Sequence, residues 1–578
     1  MKGLLKYLKN YKLESVLGPL FKMLEASFEL FVPLVVARMI DIGIRNQDVF
    51  YILKMAGVLV FLAAIGLTCS LTAQYFAAKA AVGFSTELRN ALFAHIGSFS
   101  YREQDKIGAA TLITRMTSDV NQVQSGLNLT LRLLLRSPFI VFGAMVMSFT
   151  VNVKAAMVFV VAIPALSVVV FGIMAASMPL YKKVQRQLDQ VTRTARENLT
   201  GVRVIRAFSR EKDEIKDFSE YNDQLVGLQV FVGKISALMN PVTYVIINLA
   251  IVAVVWISGK QVDSGIITQG ETVALVNYMS QILVELIKMA NLIVSISKAL
   301  ACASRINRVF EEQTSILEPE TAGKQTENIE YGSKIVFDHV SFAYADAKED
   351  SLMDICLKVE KGQTIGIIGG TGSGKTSMVN LLPRFYDVRE GSILLDGLDV
   401  KNYGLKELRA KFGVVPQRAV LFKGTLRENM KWGKEDATDE EIYQALETAQ
   451  AREFVDAKGK GLDLFIEQGG KNLSGGQRQR ITIARALVRK PEILIMDDSA
   501  SALDYATDAR LRKAIREKTG DMTVFVVSQR VATVRGSDQI VVLDDGKMAG
   551  LGTHEELLKS CQIYQEICQS QFSEQEVK

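Results

Sequence analysis

The chain has 578 residues, of which 48% are hydrophobic and 23% charged, and its net charge is +5. This length predicts two or more domains, and so apolar a composition excludes an ordinary soluble protein unless apolar and charged residues are segregated along the chain. The small net charge gives no indication of a nucleic-acid partner. The five cysteines are scattered without a metal-ligand spacing, which favours a reducing compartment.

Six apolar segments in the first half of the chain are long enough to span a bilayer, for which about 20 residues suffice. They lie near residues 13–40, 51–81, 126–150, 153–178, 236–259 and 270–300. The connections after the second and fourth segments are long and helical in pattern, and these long connections are basic. Because cytoplasmic loops carry the excess of lysine and arginine, both termini and both long loops are predicted to be cytoplasmic. The N-terminal MKGLLKYLKNYK lacks the pattern of a cleaved signal peptide.

Two of these segments carry polar residues at steps of three and four, which places them on one helix face. They are Lys22, Glu25 and Glu29 in the first segment, and Asn277, Gln281, Glu285, Lys288, Asn291 and Ser295 in the sixth. One interpretation is pairing within each helix near the membrane edge, which Glu285 and Lys288 fit. The other, favoured by two coherent stripes, is a polar translocation cavity, since charges inside apolar helices usually face a bundle interior or water.

A phosphate-binding loop is predicted at residues 363–376, QTIGIIGGTGSGKT, between a strand pattern and a helix pattern. Its glycines let backbone N–H groups surround phosphate oxygens at the start of the helix. We expect Lys375 to reach the β- and γ-phosphates and Thr376 to hold Mg²⁺. The predicted nucleotide-binding residues here are Gly369, Gly370, Thr371, Gly372, Ser373, Gly374, Lys375, Thr376 and Ser377.

A second apolar strand, EILIMDD, ends in Asp497 and Asp498. The first carboxylate at such a strand end binds Mg²⁺ directly or through water, so Asp497 is a predicted metal ligand. The alternative, an acidic helix cap, is less compatible with a complete phosphate loop elsewhere in the domain. A third strand, VFVV, is followed by Ser528, Gln529 and Arg530, and the ends of such strands are where ligands bind in α/β sheets.

The segment NLSGGQRQR, residues 472–480, precedes another helix pattern and offers a second helix N-terminus suited to a phosphate. With it, the whole chain resembles an exporter half-transporter of the ATP-binding cassette (ABC) family. The resemblance implies a membrane α-helical domain of six transmembrane helices fused to an α/β nucleotide-binding domain, with ATP and Mg²⁺ as ligands. We expect a transmembrane domain at 1–305, a linker at 306–333 and a nucleotide-binding domain at 334–578.

The resemblance also implies roles for residues that match the motifs of the family. Two such domains sandwich two ATP molecules, each held by the phosphate loop of one domain and the signature segment of the other. The implied roles are adenine stacking by Tyr344, sensing of Mg²⁺ and the attacking water by Gln417, binding of the opposite γ-phosphate by Ser474, Gly475, Gly476 and Gln477, and contact with the opposite site by Asp504. Glu467 resembles the segment that touches the intracellular loops, and residues 108–120 and 201–208 resemble the regions that bear or adjoin the coupling helices.

Two residues depart from the family pattern at catalytic positions. The family has glutamate where this chain has Asp498, and histidine where it has Gln529. Aspartate is shorter by about 1.5 Å, so we expect Asp498 not to reach the attacking water, and glutamine supplies no protonatable imidazole. None of the three histidines, His95, His339 and His554, falls at the missing position.

Both departures lie in the ATP site built on this chain's own phosphate loop, while the signature segment is intact. This asymmetry resembles the degenerate subunit of a heterodimeric bacterial multidrug-type exporter, whose partner would be a second half-transporter with the glutamate and the histidine. Alternatives are a homodimeric exporter that uses Asp498 as a weak base, and an ATP-gated channel or regulator. The resemblance alone implies export of amphipathic small molecules, lipids or peptides from the cytoplasm, across a bacterial plasma membrane.

Overall fold

The computed structural model describes residues 3–319, 333–345, 347–499 and 502–571. Contacts between Cα atoms divide the chain into two compact units. The first, the membrane unit, comprises Met1–Gly97 and Ala110–Glu312, and the second, the soluble unit, comprises Ser98–Ala109 and Gln313–Lys578. Much of the expected linker at 306–333 lies outside the described residues.

The membrane unit consists of helices, because its long runs of apolar residues satisfy their backbone hydrogen bonds within each helix. Its helices are α1 (Lys12–Arg38), α2 (Val49–Gly97), α4 (Ala109–Thr114), α5 (Val120–Leu133), α6 (Arg136–Val151), α7 (Val153–Thr200), α8 (Val202–Ala207), α9 (Glu211–Ala237), α10 (Met239–Asp263) and α11 (Gln269–Glu311), and α3 (Tyr101–Ile107) falls between α2 and α4. The helices α2 and α7 have 49 and 48 residues, well beyond the roughly 20 needed to cross a bilayer. The predicted long loops are therefore largely continuations of membrane helices.

Five helical stretches in the described chain are long and apolar enough to cross a membrane by length and composition: Val49–Gly97, Ala109–Val151, Val153–Thr200, Glu211–Asp263 and Gln269–Glu311. The first predicted segment also forms a helix, α1, of 27 residues. It differs in carrying three charged residues, Lys22, Glu25 and Glu29, in its middle.

The core of the membrane unit is formed where α1, α6, α7, α10 and α11 pack together. Phe159, Leu166 and Tyr278 are fully buried there, and the Tyr278 hydroxyl donates to the Leu30 carbonyl at 2.6 Å. The helices α5 and α11 approach closely at Gly126, where an added Cβ would lie 2.2 Å from the Ala299 Cβ. Small residues commonly allow such close approach between membrane helices.

The soluble unit contains two main sheets. Its strands are β1 (Ile335–Phe342), β2 (Leu352–Val359), β3 (Thr364–Gly369), β4 (Glu390–Leu395), β5 (Leu398–Asp399), β6 (Phe412–Val415), β7 (Gly424–Thr425), β8 (Phe465–Ile466), β9 (Ile493–Asp497), β10 (Thr523–Val527), β11 (Gln539–Asp544) and β12 (Lys547–Gly552). The antiparallel sheet has the order β2-β1-β4-β5, and the six-stranded sheet has the order β12-β11-β3-β10-β9-β6, with β12 antiparallel at its edge. β7 and β8 form a two-stranded pair.

Helices cover these sheets and complete the soluble unit. They are α12 (Lys375–Leu381), α13 (Leu405–Ala410), α14 (Leu426–Lys431), α15 (Asp439–Thr448), α16 (Arg452–Ala457), α17 (Gly475–Leu487), α18 (Tyr505–Lys518), α19 (Val531–Val534), α20 (His554–Ser560) and α21 (Gln562–Gln571). The strands β3, β9 and β10 are buried along almost their whole length. Val527 of β10 is in register with Ile367 of β3 and with Asp497 of β9, so the polar residues after all three strands meet at one edge of the sheet.

Candidate functional site

The phosphate loop connects β3 to α12 and depends on glycine at two positions. Gly372 and Gly374 have φ values of 87° and 94°, which L residues with a Cβ rarely adopt. A Cβ at Gly374 would also lie 2.7 Å from the Ser351 carbonyl oxygen, whereas a Cβ at Gly370 or Gly372 would meet no atom within 4 Å. The loop is therefore packed against the protein on one side and open on the other, as a cradle for phosphates requires.

Lys375 begins α12 and its side chain lies within the loop. Its Nζ donates to the carbonyl oxygens of Gly369 and Gly370 at 3.0 and 2.5 Å, and it lies 3.3 Å from the Ser373 Oγ. Burial lowers the pKa of Lys375, and the charges of Asp498 and Asp497 oppose that shift. The ammonium is thus held where a phosphate oxygen entering the loop could replace the carbonyl acceptors.

Thr376 and Asp497 form the pair predicted to hold Mg²⁺. The Thr376 Oγ1 is 3.0 Å from both carboxylate oxygens of Asp497. Asp497 is buried, and this burial raises its pKa. A hydroxyl and a carboxylate beside a phosphate loop are oxygen ligands of the kind Mg²⁺ prefers, so the residues fit a nucleotide with its magnesium ion.

A cleft of about 310 Å³ brings most of the predicted ATP-site residues together. Its walls are Tyr344, Ser351, Thr371, Gly372, Gly374, Lys375, Thr376, Ser377, Gln417, Asp497, Asp498, Val527, Ser528 and Gln529. The Tyr344 hydroxyl lies 2.8 Å from the Ser377 Oγ. Sequence reasoning missed Ser351, which no motif marks. Ser528, named at the end of its strand without a role, is buried and accepts from the Arg530 N–H at 3.0 Å.

The two unusual residues lie in this cleft. Asp498 follows β9 with φ of 44°, and its N–H donates to the Val527 carbonyl at 2.9 Å. Gln417 Nε2 lies 3.4 Å from the Asp498 Oδ2. Asp504, and not Asp498, caps the next described helix, because its Oδ1 accepts from the Thr507 N–H at 2.8 Å. The exposed Gln529 also lines the cleft.

The signature segment lies outside the lining of this cleft. Ser474 caps α17: its Oγ accepts from the Gln477 N–H at 3.3 Å, and the Gln477 side chain accepts from the Ser474 N–H at 3.1 Å. Ser474 and Gly475 are exposed, as is Asp504 at the start of α18. The structure thus brings together the phosphate-loop half of the predicted site, while Ser474, Gly475 and Asp504 are exposed to solvent.

The polar stripes of the membrane unit meet through Arg136, which sequence reasoning missed. Arg136 donates to Glu285 and to Glu29, at 2.7 Å in each case. Glu285 also accepts from the Ser137 hydroxyl at 2.8 Å and from Lys288 at 2.9 Å. The Glu285–Lys288 pair fits the interpretation of pairing within one helix, but the pairing also extends across α1, α6 and α11.

The short helix α3 belongs to the soluble unit, although both of its chain neighbours, α2 and α4, lie in the membrane unit. Tyr101 packs edge-on against Phe385 with ring centroids 4.8 Å apart. The Tyr386 hydroxyl donates to the Asp105 Oδ2 at 2.6 Å. Burial and the hydrogen bond with Asp105 raise the pKa of Tyr386, which stays a neutral donor.

We expect Tyr386→Phe to loosen α3 without unfolding the protein. The variant loses a hydrogen bond to a carboxylate, which contributes about 1 kcal/mol at a partly exposed position, while the ring packing remains. Amide hydrogen exchange measured by mass spectrometry should speed up about fivefold over residues 101–107. Tyr403→Phe, which removes a hydroxyl that donates to the Leu395 carbonyl, is the matched control. Unchanged exchange over 101–107 would show that the hydrogen bond does not hold α3.

Comparisons with known proteins agree with this architecture. The family model of the ABC transporter transmembrane region matches residues 15–286, and that of the ABC transporter matches residues 352–501. An ABC transporter ATP-binding protein of Mycobacterium tuberculosis (strain CDC 1551 / Oshkosh) is 35% identical over 98% of this chain and 97% of its own length. An ATP-dependent lipid A-core flippase of Desulfotalea psychrophila (strain LSv54 / DSM 12343) is 34% identical over 82% of each chain.

A solved structure shares the fold over nearly the whole chain. The structure of a bacterial Atm1-family ABC exporter with ATP bound aligns with a TM-score of 0.78 and 24% identity, over 98% of this chain and 99% of that chain. The predicted fold class, a transmembrane helical domain followed by an ABC nucleotide-binding domain, is therefore confirmed. The chain belongs to the ABC transporter family, as an exporter half-transporter that joins one transmembrane region to one ATP-binding domain.

Proposed function

We propose that this chain is one subunit of an ATP-driven heterodimeric exporter, and that most ATP is hydrolysed at a site which its signature segment completes on the partner subunit. The family places an ATPase domain beside a transmembrane region, so ATP hydrolysis coupled to transport is the expected activity. The partner would be a second half-transporter with the glutamate and histidine that this chain lacks.

The observation that carries the proposal is the position of Asp498 and Gln529 in the same cleft as the phosphate loop. A general base must lie within about 2.6–3.2 Å of the proton that it takes. The aspartate side chain is about 1.5 Å shorter than glutamate, and Gln529 cannot carry the proton that an imidazole would. Lys375, Thr376 and Asp497 supply groups for the phosphates and the metal, and the Gln529 amide can still donate a hydrogen bond to a phosphate.

The signature segment supports the other half of the proposal. Ser474 stands at the N-terminus of α17, a helix of 13 residues, where unpaired backbone N–H groups and the helix dipole favour a phosphate. Its exposure leaves it available to a nucleotide held by another domain. The chain would thus contribute full binding groups to the partner's site while holding ATP in a slow site of its own.

The cycle we propose is alternating access. Two nucleotide-binding domains close on ATP and the membrane helices open outward, and hydrolysis at the partner's site resets them. Mg²⁺, when bound, neutralises charge on the phosphates during transfer. In this chain, Lys375 holds the phosphates and Asp497 orients the metal site, while retained ATP keeps the two domains associated between turnovers.

We propose amphipathic small molecules, lipids or peptides as substrates, moved out of the cytoplasm. The similarity to lipid A-core flippases supports a lipid or an amphipathic molecule. The basic long connections support a multi-pass protein of the plasma membrane with the nucleotide-binding domain and both termini in the cytoplasm.

The test is ATPase activity of the purified chain alone and together with its partner half-transporter. We expect activity from the pair only, and we expect Ser474→Ala to lower the activity of the pair about 10- to 100-fold, since it removes a helix cap and a phosphate contact. Thr438→Ala is the matched control, because Thr438 forms the same kind of capping box at α15 away from the cleft.

Equal activity of the chain alone and of the pair would contradict the proposal. Asp498 would then be a working base in a homodimeric exporter. A drop in activity of equal size for Thr438→Ala and Ser474→Ala would show that the signature serine acts through helix stability rather than through ATP.

A further inference from the structure

A cluster of three potential metal ligands lies on the outer face of the antiparallel sheet of the soluble unit. It consists of His339 on β1 and of Asp354 and Cys356 on β2. One ligand atom from each residue lies within 4.8 Å of the other two. These residues do not line the ATP cleft, and the sequence pattern gave no metal-ligand spacing because the ligands come from two strands.

Two bulges direct these side chains to one place. The pairing of β1 with β2 shifts between Phe337 and Val340 and again between Val340 and Phe342. His339 lies at the first shift with φ of 47°, and Asp354 lies at the second with φ of 52°. Each bulge adds one residue to the outward face of its strand, so His339 and Asp354 both face the same side as Cys356.

The distances are close to those of a metal site. The His339 Nδ1 lies 3.5 Å from the Cys356 Sγ and 2.6 Å from the Asp354 Oδ1. Neighbouring ligand atoms around a tetrahedral Zn²⁺, with bonds of about 2.0–2.3 Å, lie about 3.4 Å apart. The sulfur and nitrogen already meet this spacing. The Asp354 Oδ1 is hydrogen-bonded to His339 and lies within 4.8 Å of the Cys356 Sγ, and rotation of this exposed side chain would bring it to the ligand spacing.

We propose that His339, Asp354 and Cys356 form a Zn²⁺ site that ties β1 to β2, with water as the fourth ligand. A thiolate, an imidazole and a carboxylate together suit Zn²⁺ better than Mg²⁺ or Ca²⁺, which take oxygen ligands. The side chains of His339 and Asp354 are 72% and 73% exposed, so the metal can enter and water can occupy the open position. The other four cysteines are buried, which makes Cys356 the accessible thiol of the chain.

The site can be tested with Co²⁺, which takes the place of Zn²⁺ and reports a bound thiolate through a sulfur-to-cobalt charge-transfer absorption. The tag-free full chain, purified in detergent and treated with a chelator, should bind one equivalent of Co²⁺ with this absorption, and Zn²⁺ should displace it. Cys356→Ser should abolish the absorption, and His339→Ala and Asp354→Asn should each weaken Co²⁺ binding at least tenfold. Glu360→Gln, which removes an exposed carboxylate just beyond β2, should bind Co²⁺ as the wild type does.

Absence of the charge-transfer absorption in the wild type would overturn the proposal. The proposal would also be overturned if the absorption persisted in Cys356→Ser, or if His339→Ala and Asp354→Asn both bound Co²⁺ as tightly as the wild type. In either case the metal would lie elsewhere. Elution of each variant as the folded species in size-exclusion chromatography separates loss of the ligand from loss of the fold. None of these readouts depends on ATP hydrolysis.

Discussion

On the proposed function, introducing the glutamate and histidine of the family pattern, as Asp498→Glu with Gln529→His, is expected to raise the ATPase activity of this chain alone by about 10²- to 10⁴-fold. This is the range that a general base contributes when it is placed correctly. Two copies of the double variant would each offer a complete phosphate loop and an intact signature segment, so a homodimer would hold two complete sites. Steady-state phosphate release from the reconstituted chain, with dimer formation checked by cross-linking, measures the effect.

The control for this experiment is Asp498→Asn with Gln529→His, which adds the imidazole but no base and should remain as slow as the wild type. Adding Ser474→Ala to the active double variant should lower its activity again. If the glutamate and histidine together leave the rate unchanged, the slow step is set elsewhere and the interpretation of Asp498 and Gln529 as the cause of a degenerate site is wrong.

Arg136→Met is expected to destabilise the membrane unit by about 3 kcal/mol. Removing one member of a buried charge pair costs about 3–5 kcal/mol because the other charge stays buried, and Glu285 is only 2% exposed. Lys288 remains beside Glu285, which places the cost at the low end. The thermal transition of the purified chain in detergent should fall by several degrees.

Two further variants separate lost charge pairing from lost packing. Glu285→Gln in the Arg136→Met background should recover much of the stability, because no unpaired charge then remains at the centre of the network. Glu29→Gln should cost less than about 1 kcal/mol, since the Glu29 side chain is 40% exposed and exposed pairs contribute little. A loss for Glu29→Gln as large as that for Arg136→Met would contradict the role given to burial.

The ATP-binding edge of the soluble unit was accessible from sequence because its residues follow local rules. A phosphate loop needs glycines at fixed positions before a helix, and residues after parallel strands meet at one sheet edge, so Lys375, Asp497 and Gln529 could be placed together without a structure. Ser351 could not be placed in this way, because it lies just before β2, lines the cleft from there and belongs to no motif.

Contacts between distant helices and strands were not accessible in the same way. Arg136 lies inside the third predicted segment, 126–150, and only the packing of α1, α6 and α11 shows that it joins the two predicted stripes. His339 and Cys356 are 17 residues apart in sequence. In a regularly alternating strand His339 would face the other side of the sheet, and only the bulge in β1 turns it toward Asp354 and Cys356. The grouping of α3 with the soluble unit likewise depends on an aromatic contact that no periodicity reveals.

The placement of α3 also constrains the order in which the chain can fold. Asp105 and Tyr386 are separated by 281 residues, so their hydrogen bond closes only after most of the polypeptide has been synthesised. Closing so long a loop costs entropy that nearby contacts do not, and late, non-local closure of this kind slows folding. The soluble unit is thus discontinuous along the chain, and a fragment that begins after the membrane helices would lack one of its packing elements from the start.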